Sequence, residues 1–486
     1  MNDSTLKIQN DFTKKRSKQV IIQKKLLKDL EVAILEYNKV NKPKLKLDIS
    51  VFILSLLNSI PSFYREEERS DEVALNSQIL KKYHDKYYLY LGFFIKHGFI
   101  VKTRNYSTDN HKCNTFCFSE MYLNNELMSY PITDKTFLKK FDNKGRGGSQ
   151  RNKNQYCQNE RPHLVKFFND NLTINSFDAL LEIESLKNDE KTKSSYKSNF
   201  QLINEFRNQY WKYSIKPATD NRLHSNLTRS SRVLRKHILY NSEHLVGVDL
   251  KTSQPFMLSV VIKAILKQDK GLLKQTKATD LLTDEMVDAL FNLELDKQEL
   301  VSFVLSVLNR DFYSEFEKLL SIDFDENGLP YRMVSNFGKK KKWKLKEVNE
   351  PRSKVIYDTT RELVKKVVME IFYSKPKTTI KEAKVFRKEY PSLFRIFICL
   401  QEFGVGLSKL LQNMEAYVLL DYTAWKIHHK YPGMPISSIH DALVTTESWK
   451  DVLKDEMQQH IKELTTLSPK LEIEDWNDYS IIKEVI

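Results

Sequence analysis

Two aspartates are set where a folded chain would display them. The segment LVGVDLKTSQPFML (245–258) opens as a short apolar run, the pattern of a buried strand, and puts Asp249 at its end. PISSIHDALVTTE (435–447) holds two runs of alternating β character that meet at His440 and Asp441, so a hairpin would carry those residues at its tip. Each aspartate alone has an ordinary use as a cap or turn residue. Together they suit another chemistry. Phosphoryl transfer supported by two magnesium ions needs carboxylates from separate strands converging on ions ~3.5–4 Å apart, one ion activating an attacking oxygen and one clamping a triphosphate.

Between the two lies a segment with Arg361, Lys365, Met369 and Tyr373 in steps of four and an adjoining stripe of Leu363, Val364, Val367, Val368 and Ile371. Steps of four place side chains on one helix face, so this helix has a cationic face that ends in an aromatic ring. Arg361 to Tyr373 covers about 18 Å at 1.5 Å per residue, long enough for the cations to meet a triphosphate while the ring meets a base or sugar. An ordinary surface helix with a core stripe would read the same way without the flanking acids.

With these residues in place, the chain resembles the superfamily of family A DNA polymerases and phage-type single-subunit RNA polymerases. Its three motifs occur in order: an Asp at a strand end (249-DLKTSQPF), a helix reading Arg, three residues, Lys, seven residues, Tyr (Arg361, Lys365, Tyr373, with KKVVMEIFYSK at 365–375), and a His-Asp hairpin (439-IHDALVTTE). NRLHSNLTRSSRVLRKHI (221–238) is similar to the arginine-bearing segment before the first motif, and LLQNMEA (410–416) to the helix before the hairpin. The resemblance covers about 200–486. It implies that Asp249, Asp441 and the backbone carbonyl of Leu250 bind two Mg2+ ions, with Mn2+ able to substitute. Arg361 and Lys365 would neutralise the triphosphate, Lys365 donating a proton to leaving pyrophosphate. Tyr373 would stack on the nucleotide or templating base, His440 would position the primer terminus, and Arg222 and Gln412 would touch the duplex.

Some positions depart from the pattern. Family A DNA polymerases carry Glu after His-Asp, where this chain has Ala442, and Gly after the helix tyrosine, where it has Ser374. Five residues past the first Asp, the DNA polymerases of the family place a Glu that rejects a ribose 2′-OH, and the RNA polymerases place Gly. Gln254 stands there and is bulky enough to crowd a 2′-OH, which leans towards dNTPs, whereas Met369 and Ala442 lean towards NTPs. The first 200 residues show no acid set for a proofreading exonuclease; FDALLEIES (177–185) is too weak a pattern.

These side chains need a scaffold, and the resemblance implies an α+β right hand of palm, fingers and thumb over 166–486, with the fingers inserted between Asp249 and Asp441. Ahead of it, 1–140 reads as a helical, winged-helix-like nucleic-acid-binding domain. A helix is expected over about 18–45 on Val20, Ile21, Leu26, Leu27, Leu30 and Val32, then an apolar stretch at 49–60, a helix at about 76–97, and a hairpin whose turn is rich in Ser, Asp and Asn. Helices leading into a basic hairpin fit a groove-reading helix with a wing on phosphate; a hairpin used only for packing fits equally. KKFDNKGRGGSQRNKNQYCQNERP makes 141–165 a basic linker, and it lacks the spaced Gly-Lys-Ser/Thr of a phosphate loop. KKKKWK (339–344) is a solvated loop or a phosphate-tracking run.

Composition sets the outer bounds. Lys and Arg number 78 against 63 Asp and Glu, for a formal net charge of +15, which favours a polyanionic partner: a nucleic-acid template and primer with dNTPs or NTPs. No apolar run reaches the ~18–20 residues that span a bilayer, and the first residues lack the apolar core of a secretory signal, so a cytoplasmic protein without a membrane partner is expected. Cys113, Cys117, Cys157 and Cys399 do not form a disulfide framework; a zinc site with His111 and His163 can be drawn, but no CxxC pair supports it. A rival from another class is a non-catalytic nucleic-acid-binding replication protein that uses the same fold as scaffold.

Overall fold

The computed structural model describes residues 18–61, 71–106, 113–123, 125–138, 150–185, 193–217, 219–335, 352–374 and 380–477. By its internal contacts the chain divides into two units. The first takes in Met1–Ser214, His224–Leu245 and Trp476–Ile486, and the second Ile215–Leu223 and Val246–Asp475. Both mix helix and sheet. Among the described residues no helix is long and apolar enough to cross a membrane.

The described part of the first unit begins with a strand where a helix is expected. Lys18–Gln23 (β1) pairs antiparallel with Leu127–Ile132 (β5), and helix α1 starts only at Lys24 and runs to Val40. Val20, Ile21 and Ile22 are β-branched, and their stiffness favours the pleat. Helix α1 buries Leu26, Leu27, Leu30, Ala33 and Ile34, while Val32 stands 57% exposed. Next come α2 (Leu47–Ser59), β2 (Val73–Ala74), α3 (Ser77–Tyr83), α4 (Tyr87–Lys96), β3 (Ile100–Arg104) and β4 (Thr115–Phe118). The helix expected over 76–97 is therefore two, broken at 84–86, where the Lys86 amide donates to His84 Nδ1 (3.2 Å). Strands β3 and β4 form the expected hairpin, with β2 on the far side of β4. Its turn residues 107–112, including His111, lie outside the described residues.

Part of the expected linker is helical. Residues 141–149 lie outside the described set, but Gln150–Glu160 forms helix α5. Few of its residues are apolar; instead Gln150 Nε2 donates to Asn154 Oδ1 (2.7 Å) one turn on, and Asn154 Nδ2 to the carbonyl of Trp211 (2.8 Å), so amide side chains replace an apolar stripe. Cys157 is its buried residue. Helices α6 (Ser176–Ser185) and α7 (Lys193–Arg207) follow and pack on each other. Strand β6 (Leu172–Ile174) pairs with β7 (Ile238–Tyr240), and β7 with the first residues of β8 (Glu243–Leu250).

In the second unit Val246–Leu250 of β8 pairs antiparallel with β13 (Leu471–Asp475), Asp249 standing opposite Glu472. On its other edge lies β12 (Ala442–Thr446), which forms a hairpin with β11 (Ser437–Ile439). Helix α8 (Ser253–Lys267) packs against Lys297–Leu308 and α11 (Leu407–Ala416), burying Phe256, Met257, Leu258, Val260, Val261 and Ile262. Helix α9 (Phe312–Glu317) packs on α10 (Thr360–Tyr373), which also touches β9 (Pro330–Ser335), the partner of β10 (Arg352–Ile356). The run at 339–344 lies outside the described residues.

Candidate active site

The two aspartates come together through backbone geometry. Asp249 is the penultimate residue of β8, and the amide of the next residue, Leu250, donates to the carbonyl of Asp441 (3.2 Å), which joins the strand end to the hairpin tip. The hairpin turns in two residues, with Ile439 opposite Ala442 and His440 and Asp441 between them. Such a turn needs left-handed backbone, and His440, exposed, supplies it at φ +53°. Thr252, three residues past Asp249, also sits at φ +53°, an uncommon place for a β-branched residue. Strained backbone thus flanks both acids, a pattern concentrated at functional sites. Ser253 Oγ then donates to Asp441 Oδ2 (2.9 Å), fixing that carboxylate from the first turn of α8.

Negative charge is concentrated there. Burial, then the charge of Asp441 and those of Glu474 and Glu472, pushes the Asp249 carboxyl up to about 7 against the opposing pull of Lys365. A divalent cation between the two carboxylates would relieve that cost. Among the described residues no group of three or more His, Cys, Asp or Glu side chains is placed to hold a metal ion. Two carboxylates nonetheless fit magnesium, which keeps several waters and takes its remaining oxygens from substrate phosphates.

Helix α10 brings the cations. Thr359 caps it, its side chain accepting from the Glu362 amide (3.2 Å), and the buried stripe Leu363, Val364, Val367, Val368, Ile371 and Phe372 turns Lys365 outward. Lys365 Nζ lies 5.8 Å and the Arg361 guanidinium 5.6 Å from the centre of the Tyr313 ring on α9. Tyr313 is buried, and burial, followed by the charge of Asp441, raises its phenol. Arg361 also donates to Asp311 Oδ2 (2.5 Å). Neither Tyr313 nor Asp311 is marked by the motif spacing; only their places before and within a short helix rich in aromatic residues signal them.

A second cluster is built around Glu415. This carboxylate is 1% exposed; Oε1 takes Arg222 (2.5 Å) and Oε2 takes Gln254 Nε2 (2.6 Å). Burial raises its carboxyl, with Arg222 opposing and Asp441 adding to the rise. Gln254 is itself 2% exposed, and both its Oε1 and Arg222 Nε are buried with no hydrogen-bond partner among the described residues. Tyr373, at the end of α10, is 46% exposed, and Gln412 Nε2 donates to its hydroxyl (2.9 Å). Arg222, Gln254, Tyr373 and Gln412 are all residues the sequence picks out; Glu415 is not. A signal exists, because Leu407, Leu411, Met414 and Glu415 fall on one buried face of α11, where an acid needs a partner. Immediately after Ala416 the helix widens into a π-turn, Tyr417–Thr423, a form often found at functional sites.

None of the four cysteines is joined in a disulfide; Cys113 and Cys117 are half-buried and Cys157 and Cys399 buried. No known protein family matches the sequence, and no curated protein matches it. Among solved structures the chain is similar to the POL domain of Pol1 from M. smegmatis in complex with DNA primer-template and dNTP, at a TM-score of 0.23 and 12% identity over 61% of this chain. The match spans 56% of that chain, less than two thirds of its length.

Proposed function

We propose that this chain is a template-directed nucleic-acid polymerase that transfers nucleotides at a two-carboxylate site. The observation that carries the proposal is the meeting of Asp249 and Asp441 at a strand end and a hairpin tip, with Lys365 within electrostatic reach. The 3′ oxygen of a primer attacks the α-phosphorus of a nucleoside triphosphate, a new O–P bond forms, and the bond to pyrophosphate breaks. Two Mg2+ ions held by Asp249, Asp441 and the Leu250 carbonyl would supply charge neutralisation at the attacking and leaving oxygens. Lys365 and Arg361 meet the triphosphate, and Lys365 hands a proton to the departing pyrophosphate. Tyr373 offers its exposed ring to a base. Arg222, Gln412 and His440 hold the duplex and the primer end.

We take the product to be DNA. One observation favours RNA instead: Gln254 is buried and its amide is committed to Glu415, so it is not a free bulk against a 2′-OH. Incubation with Mg2+ and a labelled primer on single-stranded DNA, with dNTPs or NTPs in parallel, tests both readings. Wild type is expected to extend with dNTPs, and Asp441→Asn to lose at least ~10³-fold, as for loss of a charge that stabilises a transition state. Extension with NTPs alone would reassign the product. Salt-sensitive DNA binding without incorporation of either set would leave the non-catalytic binding protein.

A further inference from the structure

The first unit holds a second arrangement that the polymerase site does not use. From α2 to β4 the order is helix, short strand, helix, helix, strand, strand, and the three strands lie side by side as β2-β4-β3, all antiparallel. Helices α3 and α4 are joined by the three-residue turn 84–86, the length used in helix-turn-helix units, whose second helix enters the DNA major groove. The β3–β4 hairpin follows that second helix directly, as a wing would. Between residues 77 and 104 stand Lys81, Lys82, Lys86, Lys96, Lys102 and Arg104 against the single acid Asp85, and all five lysines are exposed.

Helix α4 has two faces. Tyr90, Leu91, Phe93 and Phe94 are buried in the core of this unit. Outward, at spacings of four, three and one, stand Tyr88, Gly92, Ile95 and Lys96. Gly92 is the telling residue. Glycine inside a helix is less favourable than alanine, and nothing among the described residues demands it: a Cβ added at Gly92 would meet none of their atoms within 4 Å, and the position is not at positive φ. A gap in the exposed face of a helix, with no use among the described residues, leaves room for the close approach of something outside the molecule.

We infer that α4 and strand β3 form a duplex DNA-binding surface of their own, with α4 lying in the major groove and Gly92 at the point of closest approach. Tyr88 and Ile95 present apolar surface of the kind that reads thymine methyl groups, and Lys86, Lys96 and Lys102 reach phosphates. The inference does not depend on the polymerase reading.

The test uses the full chain and a 30-base-pair dumbbell DNA closed by loops at both ends, which offers no primer terminus. Binding is followed by fluorescence anisotropy across a salt series, with thermal unfolding and primer extension measured on the same proteins. Gly92→Leu is expected to weaken dumbbell binding at least ~10-fold by obstructing the groove, while its Tm stays level or rises by about 2–4 °C because leucine favours helix, and primer extension is unchanged. The double variant Lys86→Ala/Lys96→Ala is expected to lower the salt slope by roughly 2, about 0.9 for each phosphate it no longer neutralises. It keeps the inference testable should Gly92→Leu not fold. No dumbbell binding by wild type at low salt would overturn the inference, as would wild-type binding by either folded variant. Failure of primer extension in wild type would count against the polymerase alone.

Discussion

Asp249→Asn is expected to abolish incorporation and, at the same time, to make the protein more stable above neutral pH. The wild-type carboxyl is pushed up to about 7 from an ordinary 3.8, by burial first and then by Asp441. Between those values the native state holds a proton that the unfolded chain has released, so stability falls as pH rises through the window. Below about pH 4 both states are protonated and the variant has no advantage. Above pH 7 the native site carries the full cost of its charge, and asparagine removes it. A shift of this size is worth at most about 4 kcal/mol, and since Asp249 is partly open to solvent the expected gain is on the order of 2 kcal/mol. Urea unfolding at pH 4.5 and pH 8, with and without Mg2+, measures it. Magnesium should raise the stability of wild type at pH 8 and leave Asp249→Asn nearly unmoved. A variant equally stable to wild type at both pH values would mean that the Asp249 carboxyl is not raised in solution.

Glu415 offers the second large effect. Glu415→Ala strips the counter-charge from the half-buried Arg222 and the acceptor from Gln254, and breaking a buried pair in this way costs about 3–5 kcal/mol. Urea unfolding should show that loss. The double variant Arg222→Met/Glu415→Met removes both charges and is expected to recover most of the stability, because apolar pairs of similar volume often equal a buried ion pair. Activity should separate from stability. In the recovered double variant the KM for primer-template is expected to rise at least ~10-fold, since the guanidinium proposed to meet the duplex is gone. Should the double variant extend primers with wild-type KM, Arg222 and Glu415 are fold residues only.

These residues also mark how far the sequence can be read. Asp249 and Asp441 are legible because strand-end and hairpin-tip positions have local signatures, an apolar run and two alternating runs meeting at a turn. The face of α10 is legible because 3.6-residue periodicity sets Lys365 apart from Val364 and Val368 without help from the rest of the fold. Local signals fail where partners are distant in sequence. Val20 and Ile21 fit helical spacing as well as a strand, and only the pairing of β1 with residues 127–132 decides for strand. Gln150–Glu160 has the composition of a linker because its helix is held by amide side chains and by the carbonyl of Trp211, 57 residues on from Asn154. Glu415 stands out less than Gln412 because its meaning lies in Arg222, 193 residues away.

Both sheet neighbours of the half-strand that carries Asp249 come later in the chain than the strand itself, and only Glu243 and His244 pair with the earlier β7. Val246–Leu250 lies between Ala442–Thr446 and Leu471–Asp475, so a ribosome must add roughly 220 residues after Leu250 before the second edge is covered. At 5–20 residues per second that is about 10–45 s of synthesis with at least one edge of an apolar strand open. During that time the strand is exposed to mispairing. The acid pair is likewise incomplete until the hairpin that carries Asp441 has emerged.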